Sequence, residues 1–171
     1  MGDSRRPGVL VVGVGNEFRG DDGGGPEVVR RLLERPSVAG IEVRELQGDP
    51  TALLDAWLGR DAVVLVDTMR SGALPGTIRR VDASCEPLPS RGHGPTSTHA
   101  AGLAETIELG RALGSLPRRV IVYAVEGRRF DAGAALSGEL EAIMPTLVDR
   151  VLREARSLRA SGGSGTGLSA R

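Results

Sequence analysis

The chain has 171 residues, and its 22 Lys and Arg balance 22 Asp and Glu to a net charge of zero. That balance excludes bulk electrostatic attachment to nucleic acid or an anionic membrane, and an aromatic content of 2% is too small for base-stacking platforms. The length, with 40% hydrophobic and 26% charged residues, fits one soluble globular domain with a sizeable core.

The first predicted element is a strand over 8–14, whose apolar run Val9 to Val12 empties into the turn Gly13-Val14-Gly15-Asn16. Two adjacent acids, Asp21 and Asp22, then precede Gly23, Gly24, Gly25 and Pro26. Pro26 suits the first turn of a helix over 25–35, with Val28, Val29, Leu32 and Leu33 facing inward. A strand over 41–46, a helix over 51–58 and a strand over 61–67 follow, the last a continuous apolar run closed by Asp67. The alternating stretch 76–82 reads as an edge strand. A helix over 99–113 opens with His99, and an apolar strand is expected over 118–125. The final helix, 136–160, has the clearest periodicity, with Leu136, Leu140, Ile143, Leu147 and Val151 on one stripe. This alternation predicts a three-layer α/β/α sandwich around a twisted, mostly parallel five-stranded sheet. One domain is expected over 1–160, followed by a disordered Gly/Ser tail over 161–171. A single cysteine, Cys85, excludes an internal disulfide framework. The opening MGDSRRPG has no apolar segment behind its arginines, so neither a signal peptide nor a membrane span is predicted, and the expected location is the cytoplasm.

Open α/β sheets place their chemistry where strands end at the carboxyl edge. Three places answer to that rule: the turn with Asn16, Asp21 and Asp22, the end of the apolar run at Asp67, and the helix start at His99. The GVGN turn is a poor dinucleotide fingerprint, because Phe18 stands where a third glycine is needed and two carboxylates would repel a phosphate. A phosphate-binding lysine is missing as well. Asp21 also reads as a helix cap or dipole partner, while the glycines after the pair leave room for something to approach. Two carboxylates and one imidazole from three strand-end loops would make an open site for divalent nickel, zinc, manganese or iron, with positions left for water or substrate. His93, in a Gly/Pro-rich loop, and Cys85 read as loop residues outside this chemistry.

GVGNEFRGDDGGGPEVV resembles the signature of the hydrogenase maturation proteases. VVLVDTMRSGALPGTI resembles that family's second block, and STHAAGLAETIELGRALG its third. The similarity extends over about residues 8–155, with VIVYAVEG and the long last helix in matching order. The chain departs from the pattern at Thr98, where proline is common, and over 83–98, which has no counterpart. The resemblance implies an α/β/α endopeptidase, acting as a monomer, that trims the C-terminus of the precursor of a nickel–iron hydrogenase large subunit. It also implies that Asp22, at a position held by Glu or Asp in the family, together with Asp67 and His99, contacts nickel. That nickel would be borne by the substrate rather than kept by the enzyme. Hydrolysis could use the metal to polarise the carbonyl or activate water, or a carboxylate such as Asp22 or Asp21 as general base. Two other functions compete on the same residues: a metal-handling or precursor-binding chaperone, and a peptidyl-tRNA hydrolase-like enzyme, which the neutral charge disfavours.

Overall fold

The computed structural model describes residues 8–88 and 98–162, and of residues 98–101 it describes the backbone alone. Five strands form one sheet: β1 (Val9–Val14), β2 (Ile41–Leu46), β3 (Ala62–Met69), β4 (Ile78–Asp82) and β5 (Arg119–Glu126). Their order is β2-β1-β3-β5-β4, parallel except for β4, which pairs antiparallel with β5 at one edge. Four α-helices cover it: α1 (Gly24–Leu33), α2 (Pro50–Trp57), α3 (Thr98–Ala112) and α4 (Gly138–Gly162). These nine elements match the sequence expectation to within a few residues at each end. Two ends differ usefully. β3 runs on to Met69, so Asp67 lies inside the strand. α4 runs on to Gly162, so Ser161 and Gly162 are helical rather than tail; residues 163–171 lie outside the described set.

The period of two along each central strand divides the core. Val9 and Val11 of β1 and Ala62, Val64 and Val66 of β3 join one buried cluster with α1 and α4. Leu10, Val12 and Val14, with Val63 and Leu65, join the other, beneath α2 and α3 through Leu53, Trp57, Leu103 and Ile107. Strands buried on both faces are apolar throughout, which is why β1 and β3 read as continuous runs. On α4, Leu140, Met144, Leu147, Val148, Val151, Leu152, Ala155 and Leu158 make the buried stripe, and each large member stabilises the fold by about 2 kcal/mol. Pro145 sits on the exposed face of that helix, where the carbonyl it leaves unbonded meets water. The edge strand β4 is pinned to α4 by Arg80, whose Nε donates to Glu154 Oε2 at 2.6 Å while Tyr123 Oη donates to the same oxygen at 3.0 Å.

The glycines after the acid pair do not open space. Gly23, Gly24 and Gly25 are all buried. A Cβ on Gly24 would overlap Thr68 Oγ1, and one on Gly25 would lie 2.7 Å from Val66 O and overlap Val14 O. One on Gly23 would meet Glu17 Cα at 3.0 Å. These residues let α1 press its first turn onto the ends of β1 and β3, which corrects the expectation that they leave room for an approaching ligand. Gly25→Ala is therefore expected to destabilise the fold by about 3 kcal/mol, because backbone rather than a flexible side chain must move. Gly138→Ala, where an added Cβ would meet no packing neighbour among the described residues within 4 Å, should change stability by less than about 1 kcal/mol in either direction. Paired urea melts check the contrast.

Candidate active site

Leaving β1, the chain first crosses to β2 on one side and later to β3 on the other, so the order reverses between β1 and β3. The carboxyl ends of these two strands are where an open α/β sheet forms a crevice. Gly15 (φ +138°) turns the chain out of β1, in a backbone region that disfavours residues with a side chain, and the Asp22 carbonyl fills the space beside it. Asn16 then builds a tight turn: its Oδ1 accepts from Phe18 N at 2.9 Å and its backbone oxygen from Arg19 N at 3.1 Å. A 3-10 turn, Gly20–Gly23, holds both acids and leads into α1. The glycine loop is thus packed against its own chain and offers no phosphate cradle.

The two acids part company here. Asp22 is 5% exposed, and its Oδ2 accepts from Asn16 N at 3.1 Å. Asp21 is fully buried. Its Oδ2 accepts from Arg128 N at 2.7 Å and Arg129 N at 2.9 Å, and its Oδ1 from Ser137 N at 2.6 Å. Burial works to raise its pKa, but the N–H groups of Ser137, Arg129 and Arg128 outweigh it and hold the carboxyl below its ordinary 3.8. The side chain caps neither the 3-10 turn nor α1. The helix-cap reading is therefore replaced: Asp21 ties the β1–α1 turn to the loop after β5 and to Ser137, the residue just before α4. Its oxygens accept from three N–H donors, which suits it to holding this turn.

Asp67 is 3% exposed and lies opposite Ala124 in the β3–β5 register. Val63 and Leu65 face the α2/α3 layer, so the period of two aims Asp67 at that layer. Thr68 points the other way, onto Gly24 of α1. His99 is the second residue of α3, the helix packed over the face that Asp67 addresses. The structure thus brings Asp22 and Asp67 to the carboxyl edge of neighbouring strands and starts the His99 helix on Asp67's side of the sheet. The His99 side chain and all of His93 lie outside the described residues. Among the described residues no three His, Cys, Asp or Glu side chains are grouped to hold a metal. Cys85 is exposed, just beyond β4 and away from this edge.

One carboxylate went unnoticed in the sequence. Glu126 ends β5 and is 2% exposed. Its Oε1 accepts from Ser71 N at 2.7 Å and Gly72 N at 2.9 Å, and its Oε2 from Ser71 Oγ at 2.5 Å. It fixes the loop that follows Asp67. The signal was available, since Glu126 closes a buried apolar run just as Asp67 does.

Set beside known proteins, this architecture has clear counterparts. The sequence model of the hydrogenase maturation proteases matches residues 26–154. The hydrogenase expression/formation protein HupD of Thiocapsa roseopersicina is 30% identical over 145 residues, which is 82% of this chain and 65% of that protein, so the chain spans just under two thirds of that relative. The hydrogenase 2 maturation protease of Escherichia coli is 26% identical over 156 residues, covering 90% of this chain and 92% of the relative. The solved structure of the Escherichia coli hydrogenase maturating endopeptidase HybD superposes with a TM-score of 0.73 at 26% identity, covering 88% and 93% of the two chains. The fold is that of a hydrogenase-maturating peptidase. The chain belongs to the hydrogenase maturation protease family. No helix among the described residues is long and apolar enough to cross a membrane.

Asp21→Asn keeps the size but sets an NH2 group against at least one backbone N–H. It should cost about 3 kcal/mol at pH 7. Because the folded chain keeps Asp21 ionised to lower pH than the unfolded chain does, its contribution is complete above the ordinary 3.8 and fades as pH falls through the lower folded value. Chemical denaturation of both proteins at pH 7, 4 and 3 should show the gap between them narrowing only at the acid end.

Proposed function

We propose that this chain is the endopeptidase that reads nickel already seated in the immature large subunit of a nickel–iron hydrogenase and then removes that subunit's C-terminal extension. One observation supports the reading above the rest: the two acids in the family-like blocks belong to adjacent strands at the point where the sheet order reverses, Asp67 near the carboxyl end of β3 and Asp22 in the 3-10 turn that follows β1. Two carboxylates and the His99 imidazole form a set of hard oxygens and a borderline nitrogen suited to a divalent ion. Such a short set binds a free ion weakly and gains affinity when ligands of the precursor complete the shell, so the metal arrives as part of the substrate. With Asp21 held by three N–H groups, the acids left to orient or deprotonate water are Asp22 and Asp67. The seated nickel supplies Lewis-acid polarisation of the nearby carbonyl. The same reading sets the work in the cytoplasm, with the enzyme as a monomer.

Incubation with nickel-loaded precursor tests this. The wild-type chain should shorten it, as read by mass spectrometry. Asp22→Asn, Asp67→Asn and His99→Ala should each slow processing at least ~100-fold, with thermal midpoints within about 3 °C of wild type. Cys85→Ala should process at the wild-type rate. A stable complex with no change in precursor mass would favour the chaperone reading instead.

A further inference from the structure

Glu126 grips both ends of one loop. Its carboxylate takes the near end, accepting from Ser71 N, Gly72 N and Ser71 Oγ at 2.7, 2.9 and 2.5 Å. Its backbone takes the far end: Glu126 N donates to Thr77 O at 2.9 Å, and Glu126 O accepts from Gly76 N at 2.8 Å. Three hydrogen bonds through the side chain and two through the backbone thus close the β3–β4 connection from Ser71 to Thr77. The next residue adds a sixth contact, since Gly127 N donates to the oxygen of Met69, the last residue of β3, at 2.7 Å.

The register puts this clamp on the face of the sheet that carries Asp67. Asp67 lies opposite Ala124, and Met69 lies opposite Glu126. Val120, Val122 and Ala124 pack with the α2/α3 cluster, whereas Ile121, Tyr123 and Val125 pack on the other side. By the period of two, Glu126 takes the same side as Asp67. A strand spacing of about 4.8 Å and a rise of about 3.3 Å per residue set these diagonal neighbours about 8 Å apart. Both are almost fully buried, at 3% exposure for Asp67 and 2% for Glu126.

We propose that Glu126 is a positioning residue for the cleavage reaction: by closing this loop it keeps the end of β3 in register with β5 and so fixes where the Asp67 carboxylate stands. This rests on the endopeptidase reading above. A strand end that leads into an unfastened loop frays, because little opposes its conformational entropy. Asp67 stands only two residues before the end of β3. Displacing a group that acts in the transition state lowers rate more than substrate affinity. The hold works through hydrogen bonds rather than through charge. Glutamine can therefore replace it: Oε1 accepts both N–H groups, and Nε2 donates to Ser71 Oγ once that hydroxyl turns its proton away. Alanine keeps the two backbone bonds and loses the three of the carboxylate.

The test compares wild type, Glu126→Ala, Glu126→Gln and Val151→Ala, each held well below its thermal midpoint. Val151 is a core residue of α4, so its truncation lowers stability away from this loop. Cleavage of nickel-loaded precursor gives kcat and KM, and amide hydrogen exchange is followed on the same proteins. In Glu126→Ala, kcat should fall about 100-fold while KM stays within about threefold. Its Ser71, Gly72 and Gly127 amides should exchange at least ~10-fold faster than in wild type. Glu126→Gln should remain within about fivefold of wild type in kcat and in exchange. Val151→Ala should cut at the wild-type rate. Ser71→Ala, which removes a single hydroxyl and leaves the fold intact, should lower kcat about fivefold; an unchanged kcat there overturns the proposal even if Glu126→Ala does not fold. A Glu126→Gln variant as slow as Glu126→Ala overturns it, because the charge itself would then be at work. So does a Glu126→Ala variant that raises KM and keeps kcat, or a Val151→Ala variant that is equally slow. In each of these cases wild type still cuts, and the endopeptidase reading stands. If wild type leaves the precursor intact, that reading falls and exchange alone decides the hold on β3. Faster exchange at Gly127 in Glu126→Ala, restored in Glu126→Gln, supports the hold, and equal exchange in all three proteins overturns it.

Discussion

The carboxylate of Asp21, buried and met by the N–H groups of Arg128, Arg129 and Ser137, holds the carboxyl edge of this protein together. Burying a charge is unfavourable unless the surroundings replace its hydration. Here three backbone dipoles do so, and each comes from a segment far away in sequence. The turn that presents Asp22, the loop after β5 and the start of α4 are thereby fixed relative to one another. Glu126 repeats the device at the end of β5, two strands from β1, with two N–H groups and a hydroxyl of the loop behind Asp67. Rigid loops on a rigid sheet are what a site assembled from distant residues requires.

Glycine supplies the second constraint. α1 starts only two residues after Asp22, and its first turn presses onto β1 and β3 because Gly13, Gly24 and Gly25 present no side chain there. A run such as DDGGGP invites a reading of openness, yet these glycines are close-packed. Their effect on function is indirect: they bring the 3-10 turn with Asp22 against the strand that contains Asp67.

The sequence was most informative where burial imposes a pattern. β1, β3 and β5 are covered on both faces, so their apolar runs marked them, and the α4 stripe marked the last helix. The edge position of β4 followed from its alternation. Asp22, Asp67 and His99 stood out because in the sequence one follows a strand and its glycine turn, one closes an apolar run and one opens a helix, although Asp67 proves to lie within β3. The work of Asp21 was hidden for a physical reason: its partners are backbone N–H groups more than a hundred residues away, and backbone donors leave no trace in side-chain identity. Glu126 was missed in part because two of its three donors are backbone N–H groups, although its place at the end of an apolar strand was visible.

In the proposed function, hydrolysis waits on a metal borne by the substrate. Its most direct measurement is the cleavage of one precursor prepared with and without nickel, by the same enzyme under the same conditions and followed by intact mass. Loss of the C-terminal extension from the nickel-loaded form and an unchanged mass for the nickel-free form are expected. Equal cleavage of both forms would contradict that function.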